Sequence, residues 1–161
     1  MKKFLENKLW KTIVDNMPIP AKDLLIYNED NGLLMGKRRN KPAQNFYFVP
    51  GGRVFKNESK EDAINRISKE EIEFSIELKD FLSFGTYDHF YEDSIWNDSS
   101  VSTHYIVEAI FIKTQSSERF FNLNSQHSDL KWINESNVDK ENVHKYSKKY
   151  LLDILEMKKN K

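Results

Sequence analysis

The order of hydrophobic periods along this chain predicts an α+β domain. Helical spacing occurs at both ends and once in the middle, and strand-like alternation fills the intervals with no linker between. With 161 residues, the chain is long enough for one continuous core, and a single domain over 1–161 is expected. Its 39% hydrophobic and 13% aromatic content matches a globular composition.

Leu5 to Val14 has helical spacing (Leu5, Leu9/Trp10, Ile13/Val14), which predicts a short amphipathic helix ended by Pro18 and Pro20. DLLIYNEDNGLLMGK then reads as two strands about an Asn31-Gly32 turn, and NFYFV as a third strand. PGGRV reads as a turn that feeds a second helix, with Ala63, Ile64 and Ile67 at helical intervals after a start at Ser59 and Asp62. FLSFGTYDHFY and STHYIVEAIFI predict two longer strands, joined by the polar loop EDSIWNDSS. FFNLNSQHSDLKWIN runs from a loop into a short strand. The tail from His144 forms a last amphipathic helix, with Tyr146, Tyr150, Leu151, Ile154 and Leu155 on one side.

Basic and acidic residues number 25 each, so the chain lacks the positive surplus of a general nucleic-acid binder. The absence of Cys excludes disulfides and thiolate metal sites. The opening MKKFL is followed by ENKLWK, which interrupts any apolar export core, and no run approaches the roughly 18 apolar residues of a membrane helix. A soluble cytoplasmic protein is expected.

Arginine is used sparingly: Arg38, Arg39, Arg53, Arg66 and Arg119 stand against 20 lysines. A rigid bidentate fork is what Lys cannot supply, and four of these five flank or lie within the Gly-Gly to Glu-Glu segment. In that segment Arg66 and Glu70 are four apart on a helix, with Glu71 beside them. Hard oxygen ligands next to bare Gly-Gly backbone suit Mg²⁺ held jointly with phosphates, whereas a solvated face of Glu–Lys pairs is the plainer alternative.

Spacing adds a further constraint. Five residues separate Gly52 from Glu58, seven separate Glu58 from Arg66, and Glu70-Glu71 follow. The segment resembles a nudix box, the loop–helix–loop that binds a metal-bound diphosphate. Ile67 stands where the family pattern has a Glu after the Arg, and Glu73 replaces its late Gly. The GDP-mannose mannosyl hydrolase branch of the nudix family lacks that Glu. LLMGKRRNKPAQNFYFVPGGRV, YDHFYED, STHYIV, SQHSDLKWI and NVHKYS are all similar to what that branch carries.

The resemblance implies a nudix-type α/β/α sandwich with a mixed central sheet. It implies Mg²⁺-dependent hydrolysis of GDP-mannose, and of GDP-glucose next, to GDP and free sugar by water attack at sugar C1 with inversion. Metal ligands would be the Gly51 carbonyl, Glu71 and Gln126, and His127 would be the general base. Arg38, Arg53 and Arg66 would stabilise the departing diphosphate and orient the site. Asp23, His89 and Tyr105 would hold sugar hydroxyls and leaving-group oxygens, although the last two also fit ordinary pleat positions. Phe4, Leu5 and Trp10 would line the guanine pocket, in a homodimer; Trp10 fits the core face of its helix as well. The same resemblance implies a role in sugar-nucleotide supply for surface polysaccharide. Two other readings remain open here: a conventional nudix pyrophosphohydrolase giving GMP and sugar 1-phosphate, and a non-catalytic nucleotide-sugar binding domain.

Overall fold

A computed structural model describes residues 5–72, 81–96, 98–115 and 127–160, with backbone only at 127 and 128. Its centre is β1 (Ile19–Asn28), whose apolar run DLLIYN is buried on both faces, as a strand covered by helices on either side requires. β1 pairs in parallel with β6 (Thr103–Lys113), from Ile19 opposite Tyr105 to Tyr27 opposite Lys113. On its other edge it meets β2 (Gly32–Arg38) at the turn and β4 (Gly51–Arg53) further along, both antiparallel. β5 (Phe81–Tyr91) borders β6, and β3 (Tyr47–Phe48) and β7 (His127–Ile133) pair with β2, all antiparallel. The sheet is therefore mixed, as expected.

Strand alternation divides the core into two layers. Leu24 and Ile26 face α2 (Lys60–Ile72), where they pack with Ile64, Ile67 and Ile72. Leu25 and Tyr27 face α3 (Lys145–Lys159), where they pack with Tyr150, Leu151 and Ile154. A smaller cluster of Val14, Ile19 and Val101 seats α1 (Asn7–Asn16), with Trp10 packed against it. The helices on opposite faces make the α/β/α sandwich. No described helix is long and apolar enough to cross a membrane.

Several expectations shift in detail. The β1–β2 turn is capped by Asn28, whose Oδ1 accepts from the backbone N–H groups of Asp30 and Asn31, both at 3.0 Å. Gly32 follows with φ +89°, and a Cβ there would sit 2.2 Å from the Ile133 carbonyl oxygen, so only glycine fits. β1 begins at Ile19, inside the stretch expected only to end the helix, because the edge formed by Pro20 still pairs with β6. Of NFYFV only Tyr47–Phe48 are strand. The expected Gly-Gly-Arg turn is instead the strand β4, held straight by pairing with Ala21, Lys22 and Asp23. Ser59 does start α2: its Oγ accepts from the Asp62 N–H at 3.1 Å and donates to the Asp62 carboxylate at 2.8 Å.

Candidate active site

Odd-numbered residues of β1 point to the α3 side of the sheet, and Ala21 and Asp23 line a cavity of about 520 Å³ there, bordered by Trp10 of α1. Asp23 from β1, Gly51 and Arg53 from β4, and His89 and Tyr105 from the neighbouring strands line it. Leu5, Trp10 and Arg38 complete the expected residues at its wall. The fold thus brings eight of these candidates to one cavity, although they come from six separate stretches of chain.

Asp23 forms the polar floor. It is 6% exposed, and the Tyr150 hydroxyl donates to its Oδ2 at 2.9 Å. Burial pushes the Asp23 carboxyl up to about 7, against the opposing pull of the Tyr150 hydrogen bond and the Arg38 charge. His89 stacks on Tyr146 with ring centres 3.8 Å apart and planes 6° off parallel. Burial, with the neighbouring His144 next, draws its imidazole down to about 4, so it is neutral near pH 7. Tyr91 and Tyr105 are raised by burial and stay protonated. Gly51 is required beside Asp23: a Cβ there would lie 2.3 Å from Asp23 Oδ1 and 2.9 Å from the Lys22 carbonyl oxygen.

Two cations face this floor. The Arg53 guanidinium lies over Trp10 at 4.2 Å and over Phe55 at 5.0 Å, and the Arg38 guanidinium over Phe48 at 5.8 Å. Among the described residues neither has a carboxylate within ion-pair distance, and the buried Arg38 Nε has no hydrogen-bond partner. Aromatic faces hold the forks in plane while leaving their N–H edges for an anion. Burial lowers the pKa of Arg53 somewhat.

Arg66 differs. Its Nε donates to Glu58 Oε1 at 2.6 Å and its Nη2 to Glu58 Oε2 at 2.9 Å and to the Arg53 carbonyl at 2.8 Å. Nη1 reaches Glu70 Oε2 at 3.1 Å, and the guanidinium covers Phe55 at 4.2 Å. Its donors are engaged within the loop and helix, and it lines a second cavity of about 700 Å³ on the far side of Trp10 and Arg53. The geometry makes Arg66 a clamp between β4 and α2.

Glu71, 2% exposed, lies four residues after Ile67 on the α2 face of the sheet, and does not line the cavity. Ile67 itself is 1% exposed and would lie 3.2 Å from a Cβ on Gly52. The bare backbone of Gly51-Gly52 and the buried Glu71 carboxylate are hard oxygen donors, which fits Mg²⁺ chemistry. Among the described residues no three His, Cys, Asp or Glu side chains gather as a metal cluster, and a set with Glu71 as its one carboxylate needs none. Gln126 and Phe4 lie outside the described residues. His127 opens β7 with its backbone in register with Arg38; its side chain is outside what is described.

Tyr146 and Tyr150 were readable only as the apolar side of α3, yet each contacts a cavity-lining residue, Tyr146 stacking on His89 and Tyr150 donating to Asp23. His104 accompanies Asp88 at 3.0 Å and stacks on the exposed Phe90. His144 caps α3, accepting from the Tyr146 N–H at 3.4 Å.

These features define a mixed-sheet sandwich with a glycine-backed, arginine-lined cavity beside a carboxylate-bearing helix. The family model described as NUDIX domain matches residues 17–154, and the chain belongs to the nudix family. A curated relative, "Low-salt glycan biosynthesis protein Agl8" of Haloferax volcanii, is 37% identical over 142 residues, covering 88% of this chain and 85% of that protein. Among solved structures, the NUDIX domain of Shewanella oneidensis NrtR complexed with ADP ribose superposes with TM-score 0.66 at 13% identity, covering 95% of this chain and 99% of that one. The MutT protein from Methanosarcina mazei Go1 also gives 0.66, at 16% identity over 91% and 99% of the two chains. A bifunctional NMN adenylyltransferase/ADP ribose pyrophosphatase from Francisella tularensis gives 0.68 at 18% identity; the match covers 93% of this chain and less than half, 44%, of that one.

Proposed function

We propose that this nudix protein hydrolyses a GDP-sugar, GDP-mannose first and GDP-glucose next, to GDP and free sugar. The observation that carries this reading is Ile67. The position that holds a carboxylate in the family pattern is here fully enclosed among Ile64, Ile72, Leu24 and Ile110. An apolar side chain cannot hold a metal or activate water at phosphorus, so a different reaction centre is favoured. The cavity supports sugar carbon as that centre: cationic forks stand at one side, and hydroxyl-binding groups at the floor. The name of the Haloferax relative, which places that protein in glycan biosynthesis, supports a nucleotide-sugar substrate and a place in surface-polysaccharide supply.

In this mechanism Arg38 and Arg53 hold the diphosphate, and their charge favours its departure. Arg66 keeps Arg53 in place through the Arg53 carbonyl. Asp23 and His89 orient sugar hydroxyls, with Tyr105 beside the leaving-group oxygens. His127 accepts a proton as water adds to C1; the C1–O bond breaks, its electron pair leaves on the GDP oxygen, and the carbon inverts. Mg²⁺, when bound by the Gly51 carbonyl, Glu71 and Gln126, would supply further positive charge to the diphosphate. Leu5 and Trp10, with Phe4, would stack or enclose guanine in a homodimer.

Product analysis tests the proposal. Incubation with GDP-mannose and Mg²⁺ should release GDP and mannose. Release of GMP and mannose 1-phosphate would replace it with conventional nudix chemistry, and binding without turnover would replace it with a nucleotide-sugar binding domain.

A further inference from the structure

Tyr150 has no part in the chemistry described so far, yet it lies directly behind two residues of the cavity lining, Asp23 and His89. It is fully buried, and its ring meets that of Tyr87 edge-on at 4.9 Å. Its single hydroxyl touches two groups that line the cavity: Asp23 Oδ2 at 2.9 Å and His89 Nε2 at 3.1 Å. One hydroxyl proton cannot serve both contacts. With Asp23 ionised, as it is above about pH 7, its oxygen is the nearer and stronger acceptor, so the proton goes to Asp23. The Tyr150 oxygen is then left to accept, and His89 Nε2 must carry the hydrogen. A neutral imidazole protonated at Nε2 has its lone pair on Nδ1. Nδ1 is 3.9 Å from Asp23 Oδ2, too far for a hydrogen bond, so it is not satisfied by that neighbour. The parallel stack on Tyr146 fixes the imidazole plane, while Tyr146 is itself tied to the backbone of Phe90 at both N–H and C=O.

We propose that Tyr150 is a positioning residue that sets His89 as its Nε2–H tautomer, so that His89 Nδ1 and Asp23 present a pair of acceptors to the hydroxyls of the bound sugar. The cavity is thereby divided: Arg38 and Arg53 offer only donors, suited to phosphate, and the floor offers acceptors, suited to a polyol. This rests on the GDP-sugar reading for the identity of the ligand, but the tautomer itself does not. Selectivity for the sugar over bare nucleotide follows from the floor, because a diphosphate would meet acceptors there and gain nothing.

The full-length protein tests this in two ways. At pH 8, where Asp23 is ionised, nitrogen NMR of ¹⁵N-histidine-labelled wild type should show His89 protonated at Nε2 and bare at Nδ1; the Nδ1–H tautomer would overturn the proposal without any substitution being made. Tyr150→Phe keeps the ring and removes the hydroxyl. By calorimetry this variant should bind GDP-mannose about tenfold more weakly, the effect of about one well-placed hydrogen bond, while its affinity for GDP stays within about twofold. Equal weakening of both ligands would mean a merely structural tyrosine and would also overturn it. Failure of the wild type to bind either ligand would sink the GDP-sugar reading instead, and the NMR result would still decide the role of Tyr150.

Discussion

The clamp of Arg66 on Glu58 offers a sharp test of what holds β4 to α2. Two parallel hydrogen bonds of 2.6 and 2.9 Å join the pair, and their side chains are only 20% and 12% exposed. Surface ion pairs contribute about 0–1 kcal/mol, whereas removing one partner of a buried pair costs about 3–5 kcal/mol. This pair lies towards the buried limit, and Arg66→Ala also strands the Arg53 carbonyl. We expect each of Arg66→Ala and Glu58→Ala to cost about 3 kcal/mol, or a fall in Tm of roughly 6–12 °C for a domain of this size. The double variant should fall little further, with a coupling energy of about 2 kcal/mol from urea melts of all four proteins. Additive losses, with coupling below about 0.5 kcal/mol, would show that the clamp does not hold β4 to α2.

Other outcomes follow from the same geometry. Gly51→Ala should cost about 1–3 kcal/mol through its clash with Asp23 and the Lys22 carbonyl, whereas Gly52→Ala should cost less, because it meets only the Ile67 side chain at 3.2 Å; urea melts rank the two. The raised pKa of Asp23 means that the folded state holds a proton the unfolded state releases from about 4, so this group's contribution falls as pH rises towards 7. Relative to the wild type, Asp23→Asn should therefore gain stability between pH 4 and 7, by up to about 4 kcal/mol, and a pH-independent difference in metal-free melts would refute this. The lowered pKa values of His89 and His144 act oppositely, adding stability as pH rises from about 4 to 6.5. Glu71→Gln and His127→Ala should each slow turnover at least tenfold while circular dichroism shows a folded protein; wild-type rates would remove that residue from the mechanism.

What could be read in the sequence was local in origin. The Ser59–Asp62 start of α2, the span of β5 and the apolar side of α3 follow from residues within a few positions of one another. The Gly-Gly-Arg strand was not legible, because glycine has no strand preference of its own and β4 exists through pairing with β1 some 30 residues earlier. Tyr150 looked like one more core residue for a similar reason. The partner that gives its hydroxyl a purpose, Asp23, lies 127 residues away, and only the packing of α3 against the sheet brings them together. The family spacing found Arg66 without its role: periodicity places it beside Glu70, but cannot tell whether the fork turns towards a ligand or back to Glu58.

β4 has a consequence for how this protein could be altered. It is three residues of nearly naked backbone, with Asp23 against one side at Gly51 and Ile67 against the other at Gly52. At Gly51-Gly52 the partition between cavity and carboxylate helix is thus one peptide layer thick, with little room for a side chain on either surface. A designer seeking a new ligand cannot reshape that partition. Variation is open instead at the rim, in the 39–46 segment that carries Asn40 and Pro42, and around Ile95 between β5 and β6. The shared wall constrains the chemistry, and the rim is free to choose what is brought to it.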